Sequence, residues 1–383
     1  MAETYDIIIF GGGIAGLFAA NRLQQAGYNL ILIEKDKLGG VQTLASQGMI
    51  HGGQKYVLQG DKTVQAAAIA QMPARWEACF AGQGDIDLSD VKFLSDTQVM
   101  FPAGSFLSSL GVFAAAKAVN GKTQKLKTEK FPQVLKKSGP VYEMQEKVLD
   151  VKSLVTVLAK NLKGRIVQGD AQELLPDGQV AVSGKALQAQ AIIFTAGVGN
   201  EAALKMLRVQ EQQAQRRPLR QIMVKFLPYS LYGHGIVANP KPRVTVTSHP
   251  AGNGTYIWYL GGNVAEAAAA MPEAEALSFA KKEMQEIFPD VDWEQKEWAS
   301  WSGDRAEAFD AAGHLPPGPS LQQRGKILLA WPTKLTFAPL LADNIVDWLK
   351  RSDIKPSALT APPPLPEAEI GFYPWEEATW HRL

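Results

Sequence analysis

The sequence lacks the features that mark secreted, metal-binding and membrane-spanning proteins. It has one cysteine, Cys79, in 383 residues, so an internal disulfide is excluded. No Cys/His spacing suits a zinc site, and no apolar run is long enough to cross a bilayer. An apolar, strand-like run already begins at Tyr5, which leaves no room for a signal peptide. We therefore expect no metal and a cytoplasmic protein.

The chain also lacks a strong excess of either charge. Its formal net charge is +1, which gives no reason to expect a nucleic-acid partner. One local exception follows the apolar residues 106–113, because seven lysines and one acid, Glu129, lie between Lys117 and Lys137. Such a run is typical of a solvated face, or of weak attachment to an anionic membrane surface. We expect at most weak peripheral association at the inner membrane surface.

What the sequence does contain is a complete βαβ pattern at its start. An apolar run, Tyr5–Phe10, leads into the glycine cluster Gly11–Gly16, and a helical segment follows. A second apolar run, Leu30–Ile33, ends at Glu34. This order of strand, glycine turn, helix, strand and acid is typical of a dinucleotide-binding unit. The alternative is a tight turn in an ordinary α/β protein.

Each part of this pattern has a physical role in holding a dinucleotide. Gly11 permits the tight turn, Gly13 permits close approach of the backbone to a pyrophosphate, and Gly16 permits close packing of helix and strand. The N-terminus of the helix offers N–H groups and a positive dipole end to phosphates. Glu34 lies where a carboxylate accepts hydrogen bonds from a ribose diol.

The remaining pattern predicts two kinds of sheet. Apolar runs at 191–195 and 327–330 favour buried parallel strands, whereas the β-rich runs between 221 and 260 favour antiparallel ones. A hairpin is predicted for 179–182 and 186–190. Helices are predicted at 63–70, 74–80, 151–161, 273–287 and 339–349.

The predicted fold class is therefore α/β, or α+β overall. A Rossmann-like nucleotide-binding domain formed by 1–90, 145–215 and 320–355 is interrupted by a mainly antiparallel β substrate domain with flanking helices, 91–144 and 216–319. Residues 356–383 form a proline-rich tail that either wraps the body or docks elsewhere.

Four further segments carry residues suited to chemistry. A small-residue turn after the strand 191–195 contains Ala196 and Gly197, and a glycine-rich loop at 47–56 contains His51 and Lys55. Arg305 ends a strand-like segment after a glycine, where its guanidinium can hold an anion through two hydrogen bonds. The segment 333–339 precedes the last helix, whose N-terminus can support negative charge.

Three of these motifs resemble one family. Ile50–Tyr56, Ser302–Arg305 and Lys334–Thr336 match, in order, the Ile-His-Gly-Gly-x-basic-Tyr, Ser-Gly-x-Arg and Lys-Leu-Thr segments of flavin-dependent glycerol-3-phosphate dehydrogenases. The chain thus resembles the FAD-dependent oxidoreductases of the D-amino-acid oxidase superfamily over residues 1 to about 350. It departs from that group at Lys55, where arginine is usual, at Ala306, where proline is usual, and in lacking the long helical C-terminal domain.

The resemblance implies FAD as cofactor and assigns roles to particular residues. Lys55 and Arg305 would hold the substrate anion, and His51 would lie beside the flavin. The residues implied to be catalytic are His51, Lys55, Arg305 and Lys334. Those implied to contact FAD are Gly11, Gly13, Ile14, Ala15, Gly16, Glu34, Lys35, Gln47, Gly48, Ala171, Ala196, Gly197, Lys334, Leu335, Thr336 and Phe337.

The function implied is transfer of a hydride from a C–OH or C–N carbon of a small anionic substrate to the flavin, as in glycerol-3-phosphate dehydrogenase. Two alternatives remain open: an amino-acid or amine oxidase in which Arg305 holds a carboxylate, and a non-catalytic flavin-binding module for assembly or electron transfer. The electron acceptor is a quinone, oxygen or another protein. The sequence does not show whether FAD is attached covalently.

Overall fold

The structure is a computed structural model that describes residues 3–50, 64–104, 123–174, 178–210, 213–237, 241–311, 316 and 318–383. Within these residues the strands, numbered in chain order, are β1 Glu3–Phe10, β2 Leu30–Glu34, β3 Phe93–Ser95, β4 Gln98–Pro102, β5 Thr123–Lys125, β6 Tyr142–Met144, β7 Val148–Leu149, β8 Ile166–Gln168, β9 Ala171–Leu174, β10 Gln179–Val182, β11 Lys185–Phe194, β12 Ala214–Leu227, β13 Gly233–Ile236, β14 Val244–Gly252, β15 Thr255–Gly261, β16 Glu297–Ala308, β17 Ser320–Arg324, β18 Ile327–Trp331 and β19 His381–Arg382. The helices of the same residues are α1 Ile14–Gln25, α2 Val64–Phe80, α3 Val151–Asn161, α4 Asn200–Met206, α5 Asn263–Ala268, α6 Glu273–Ile287 and α7 Ala338–Arg351.

A mainly parallel sheet brings the βαβ unit together with strands from the middle and end of the chain. Its strand order is β17-β18-β11-β1-β2-β8, and the hairpin β9–β10 is attached to β11. The strand β1 is parallel to β2 and β11, and β11 is parallel to β18. The inner strands are apolar on both faces, as a sheet covered on both sides requires. The loops that follow β1, β2, β11 and β18 therefore meet at one edge of the sheet.

Helices cover one face of this sheet and build the largest core. The buried face of α1 includes Leu17, Phe18 and Leu23, which pack with α3 and α7. Trp76 of α2 is fully buried in the same core, and its indole N–H donates to the carbonyl oxygen of Thr336 at 3.0 Å. This packing fixes the segment before α7 against the sheet.

A second, mainly antiparallel sheet has the order β19-β16-β12-β15-β14-β13-β4-β6-β5. Only the β13–β4 pairing among these strands is parallel. One face packs against α6, whose Ala280 and Met284 are fully buried beside Trp258 and Phe288. The longest pairing is that of β12 with β16, which runs from Ala214↔Ala308 to Lys225↔Glu297.

The C-terminal segment lies along the body of the protein and contacts both sheets. The hydroxyl of Tyr5 donates to the carbonyl oxygen of Ala361 at 2.7 Å, and the N–H of Gly371 donates to that of Leu38 at 3.0 Å. The last strand, β19, pairs with β16. Of the two predicted arrangements of the tail, the structure shows the one in which it wraps the body.

The predicted fold class is confirmed, since a Rossmann-like parallel sheet is joined to a mainly antiparallel one. The domain boundaries remain our proposal. Over the described ranges, no helix is both long and apolar enough to cross a membrane. The apolar residues 106–113 and the start of the lysine-rich run lie outside the described residues.

Candidate functional site

The turn between β1 and α1 contains two positions where only glycine fits. Gly11 has a φ of +106°, and a Cβ there would lie 2.6 Å from Cα of Ala196. A Cβ on Gly16 would lie 1.9 Å from the carbonyl oxygen of Gly11. At Gly13, the one described atom within 4 Å of an added Cβ, chain neighbours apart, is Oγ1 of Thr43 at 3.2 Å. The space beside Gly13 is therefore open, as a phosphate site requires.

Helix α1 presents its N-terminus to this space. Gly13 precedes its first residue, Ile14, whose N–H donates to Oγ1 of Thr43 at 3.0 Å. The first turn, which also contains Ala15, has no acidic side chain, so the positive end of the helix dipole is not neutralised by the helix itself. Thr43 was not predicted from the sequence, because its partner lies 29 residues earlier in the chain.

Glu34, at the end of β2, reaches back to the same turn. Its Oε2 accepts from the N–H of Gly12 at 2.5 Å, and its Oε1 accepts from the N–H of Asp36 at 2.9 Å. Burial raises the pKa of this carboxyl, although the two backbone N–H groups partly oppose that effect. The structure thus places a desolvated carboxylate beside the glycine turn, where the sequence predicts a ribose ligand.

Two other predicted cofactor residues lie next to Glu34. The N–H of Gly169 donates to the Glu34 carbonyl oxygen at 2.9 Å, and Ala171 begins β9 two residues later. Lys35 is exposed and forms an ion pair with Asp170 at 3.1 Å. Lys35 and Ala171 are therefore neighbours at the edge of the sheet, and their contact with a cofactor stays a prediction.

The turn after β11 lies against the first glycine turn. The hydroxyl of Thr195 donates to the carbonyl oxygen of Gly11 at 3.0 Å. Gly197 has a φ of +58°, and a Cβ there would be 3.2 Å from Oε1 of Gln42. The same Oε1 accepts from the N–H of Ala306 at 3.3 Å. Gln42 thus lies between the turn after β11 and β16 of the antiparallel sheet.

Gln47 and Gly48 lie where the two sheets meet. The side-chain amide of Gln47 donates to the carbonyl oxygens of Thr245 and Tyr259, both at 3.1 Å. Gly48 has a φ of +67°, and a Cβ there would lie 2.5 Å from the carbonyl oxygen of Leu149. The bonds of Gln47 connect the loop after β2 to β14 and β15. The predicted contact of Gln47 and Gly48 with a cofactor stays a prediction.

Beside these turns, β12 and β16 carry a cluster of charged side chains. Arg217 and Arg305 are directly opposite each other in the ladder. The guanidinium of Arg217 donates from two nitrogens to the two carboxylate oxygens of Glu307, both at 2.6 Å. Glu307 is only 1% exposed, so this pair is a buried one.

Arg305, the predicted anion-binding residue, has looser contacts. Its nitrogens lie 3.4 Å from Oε1 of Glu266, and 3.5 Å and 3.3 Å from the carbonyl oxygens of Arg217 and Pro218. Glu266 is held more closely by Lys241, at 2.6 Å. Burial and the positive charge of Arg217 lower the pKa of Arg305, and Glu266 opposes them. An additional anion would therefore stabilise this guanidinium.

Lys334 lies in the loop between β18 and α7, and the charges of the same ion pair act on it. Burial, and then the charge of Arg217, lower its pKa to about 8, while Glu307 raises it. Thr336 and Phe337 follow with almost fully buried side chains, whereas Leu335 is half-buried. Of Leu335, Thr336 and Phe337, only Leu335 has a side chain exposed enough to contact a cofactor, while the other two could do so through their backbone. The predicted contact of all three with a cofactor stays a prediction.

The charges of Arg217 and Glu307 affect the pKa of both Arg305 and Lys334. His51 and Lys55 lie outside the described residues. The sequence did not predict Gln42, Arg217 or Glu307. Only strand register and loop packing reveal these three, although Gln42 does follow a Gly-Gly pair shortly after the acid of the βαβ unit.

The residues present fit FAD, the cofactor that the resemblance implies. The open space at Gly13 and the α1 N-terminus suit a pyrophosphate, and the Glu34 carboxylate suits a ribose. The buried atoms Oγ of Ser46, in the loop after β2, and Oε1 of Gln221, on β12, have no hydrogen-bond partner within the described part of the chain. Buried polar atoms of this kind are expected to pair with a ligand or water.

Comparisons with known proteins agree with this fit. The DAO family model, described as FAD dependent oxidoreductase, matches residues 6–348. The chain is 40% identical over 386 residues to the Pseudomonas aeruginosa protein PA4991, a match that covers 98% of this chain and 99% of that protein. The crystal structure of the FAD dependent oxidoreductase PA4991 has a TM-score of 0.86 at 36% identity, with 98% of both chains covered.

More distant structures share the fold alone. L-alpha-glycerophosphate oxidase from Mycoplasma pneumoniae, solved with FAD bound, has a TM-score of 0.66 at 16% identity and covers 97% of this chain and 99% of its own. Glycine oxidase from Geobacillus kaustophilus has a TM-score of 0.65 at 16% identity and covers 97% and 100%. The family model spans most of the chain and the Pseudomonas relative nearly all of it, so the protein belongs to the DAO family of FAD-dependent oxidoreductases.

Proposed function

We propose that the protein uses FAD to accept a hydride from a carbon that bears a hydroxyl or amine group in a small anionic substrate, in the manner of glycerol-3-phosphate dehydrogenases. The observation that carries this proposal is the incompletely neutralised guanidinium of Arg305. It lies one residue from Ala306, whose N–H donates to the Gln42 side chain, and that side chain lies beside Gly197. Arg305 is thus close to the proposed cofactor site.

The electrostatics of Arg305 suit a substrate anion. Its side chain is 29% exposed, and its closest carboxylate contact is the shared one with Glu266 at 3.4 Å. An incoming carboxylate or phosphate would form shorter, charge-assisted bonds to the planar fork. We infer that Arg305 fixes the orientation of the substrate, together with Lys55 on the evidence of the sequence alone.

Lys334 is suited to holding or releasing a proton. Because its pKa is lowered to about 8, both charge states are populated slightly above neutral pH. We propose that Lys334 exchanges a proton near the reacting carbon or supports negative charge there, with His51 contributing beside the cofactor.

One observation favours the amino-acid alternative. The fork of Arg217 is already occupied by Glu307, so of these two described arginines it is Arg305 that is left to bind an anion with two bonds. Glu266 places a negative charge beside it. This arrangement favours one carboxylate, with a nearby ammonium group, over a phosphate dianion. The idea of a non-catalytic module has no comparable support.

The reaction partners remain proposals. The electron acceptor is a quinone, oxygen or a protein, and nucleic acid is not among the expected partners because the net charge is +1. We propose at most weak peripheral membrane association, since Lys125, Lys127 and Lys130 are exposed.

Anaerobic bleaching of the flavin tests the function. Purified protein with bound FAD is mixed with 2-hydroxy acids, amino acids and phosphorylated polyols, and absorbance is followed. Bleaching by an anionic member of one class, but not by its uncharged analogue, is the expected result. Bleaching by uncharged substrates alone would refute the anion requirement. Peroxide formation in air would then distinguish an oxidase from a dehydrogenase.

A further inference from the structure

The cationic site contains a buried carboxylate whose role the proposed function does not explain. Glu307 is 1% exposed and accepts two hydrogen bonds from Arg217. A third, longer contact of 3.4 Å comes from the side-chain amide of Gln215. Since an ionised carboxylate is costly to bury without partners, this geometry requires Arg217.

Strand register explains why the pair is needed. Arg217 and Arg305 are directly opposite in the antiparallel ladder, where like charges repel. Glu307 lies two residues beyond Arg305 on the same face of β16. The Glu307 carboxylate accepts hydrogen bonds from the guanidinium fork of Arg217. The carbonyl oxygens of Arg217 and Pro218 accept hydrogen bonds from Arg305. The two opposite arginines therefore have different partners.

We propose that Glu307 is a positioning residue for the anion site: it holds Arg217 and, by holding Arg217, it fixes where the Arg305 guanidinium lies. This inference rests on the proposed function, because it concerns the residue that would bind the substrate anion. Lys334 can report on this pair, because the charge of Arg217 on β12 lowers its pKa and the charge of Glu307 on β16 raises it.

The first test measures the Lys334 titration directly. FAD-loaded protein is labelled with ¹³C at the lysine Cε, Lys334 is assigned through Lys334→Arg, and its NMR signal is followed with pH. Glu307→Gln leaves the Arg217 charge uncompensated, so the midpoint should fall by roughly one pH unit. The matched control is Glu201→Gln, which removes a carboxylate that pairs with Arg216 on the opposite face of β12. It should leave the midpoint unchanged.

A double variant keeps the inference testable if Glu307→Gln does not fold. Arg217→Gln/Glu307→Gln replaces the pair with two amides and buries no unpaired charge. Because Arg217 lowers the pKa of Lys334 more than Glu307 raises it, the midpoint should now rise above the wild-type value. A folded single or double variant that titrates like wild type at Lys334 would overturn the proposal.

The second test distinguishes a positioning role of Glu307 from the effect of its negative charge alone. Acetate is titrated into FAD-loaded protein and binding is read from the flavin absorbance. Loss of a negative charge alone would strengthen acetate binding. Loss of positioning should instead weaken acetate binding about tenfold, which is about the effect of losing one hydrogen bond to a charged group. Tighter binding by Glu307→Gln would refute the positioning role. If wild-type protein binds neither acetate nor inorganic phosphate, the proposed function fails, and the Lys334 titration still decides the role of Glu307.

Discussion

Two glycines at the start of α1 have different surroundings, and this gives a paired prediction at the scale of single residues. Gly16→Ala would place a Cβ 1.9 Å from the Gly11 carbonyl oxygen, so helix and strand must separate. We expect a clear loss of stability in urea unfolding of Gly16→Ala.

The second glycine of this pair, Gly13, has an ordinary φ of −77°, and a Cβ there would meet only Oγ1 of Thr43 among the described side chains, so Gly13→Ala is sterically possible. We expect it to fold normally but to bind FAD poorly, and equal FAD affinity in wild type and Gly13→Ala would contradict the pyrophosphate position.

Glu34 gives a second residue-scale prediction. Its two carboxylate oxygens accept from Gly12 and Asp36, which aims the group at the glycine turn. Glu34→Gln replaces one acceptor with a donor and should weaken FAD binding by about 1–3 kcal/mol. Titration of FAD-free protein with FAD measures this, and Glu367→Gln, the same change at an exposed position of the C-terminal segment, is the control. Unaltered affinity in Glu34→Gln would exclude it as the ribose ligand.

At this scale, the sequence predicts residues whose function depends on local conformation. Gly11 and Gly16 lie in the tight turn as predicted, because each position has a steric requirement that a βαβ pattern reveals. Thr43, Arg217 and Glu307 could not be predicted. Their partners are distant in sequence, and pairing between Arg217 and Glu307 depends on the exact register of β12 and β16.

At the scale of elements, the tail and β14 form an aromatic contact with a measurable pH dependence. The side chain of His249 is 4% exposed. Its ring centroid lies 4.0 Å from that of Trp375 and 5.5 Å from that of Tyr373. Among the described residues, its Nε2 has no hydrogen-bond partner. Burial lowers its pKa to about 3, and Asp150 opposes this only in part. The imidazole is therefore neutral when the tail is docked.

The lowered pKa of His249 determines how the stability of the folded protein changes with acid. The histidine pKa is about 6.5 in an unfolded chain, so below that pH the unfolded state binds the extra proton and stability falls down to about pH 3. Between pH 7.5 and 5 the loss of stability from this group is about 2 kcal/mol. His249→Phe should lack that part of the loss in urea unfolding at pH 7.5 and 5. His381→Gln, an exposed change in the same tail, should behave like wild type. Equal pH dependence in wild type and His249→Phe would exclude the effect.

Element boundaries show where sequence patterns were insufficient. The hairpin arm predicted at 186–190 and the strand predicted at 191–195 are one strand, β11, which pairs antiparallel to β10 and parallel to β1. The helices predicted at 63–70 and 74–80 are one helix, α2, that continues through Pro73. Burial of Trp76 and Met72 in the core outweighs the local preference of proline to end a helix.

At the scale of the whole molecule, the site exists because loops of one sheet meet a strand pair of the other. The alternation of apolar runs predicts both sheets and their interleaving, since strand type depends on burial of one or both faces. Gln42 and Gln47 make the joining contacts, with β16 and with β14 and β15, and no periodic pattern indicates them. The predicted residues His51 and Lys55 stay a prediction from sequence resemblance.

Anaerobic flavin reduction in Arg305→Ala tests the central claim most directly. With a substrate identified by the bleaching screen, the variant should keep its flavin spectrum. It should be reduced tens to thousands of times more slowly, because loss of one partner of a partly desolvated ion pair costs about 2–5 kcal/mol. Arg305→Lys should recover only part of the rate. Arg216→Ala, on the opposite face of β12 and paired with Glu201 and Asp304, should retain the wild-type rate. If Arg305→Ala is reduced as fast as wild type, the substrate anion is held elsewhere and the assignment of this site is wrong.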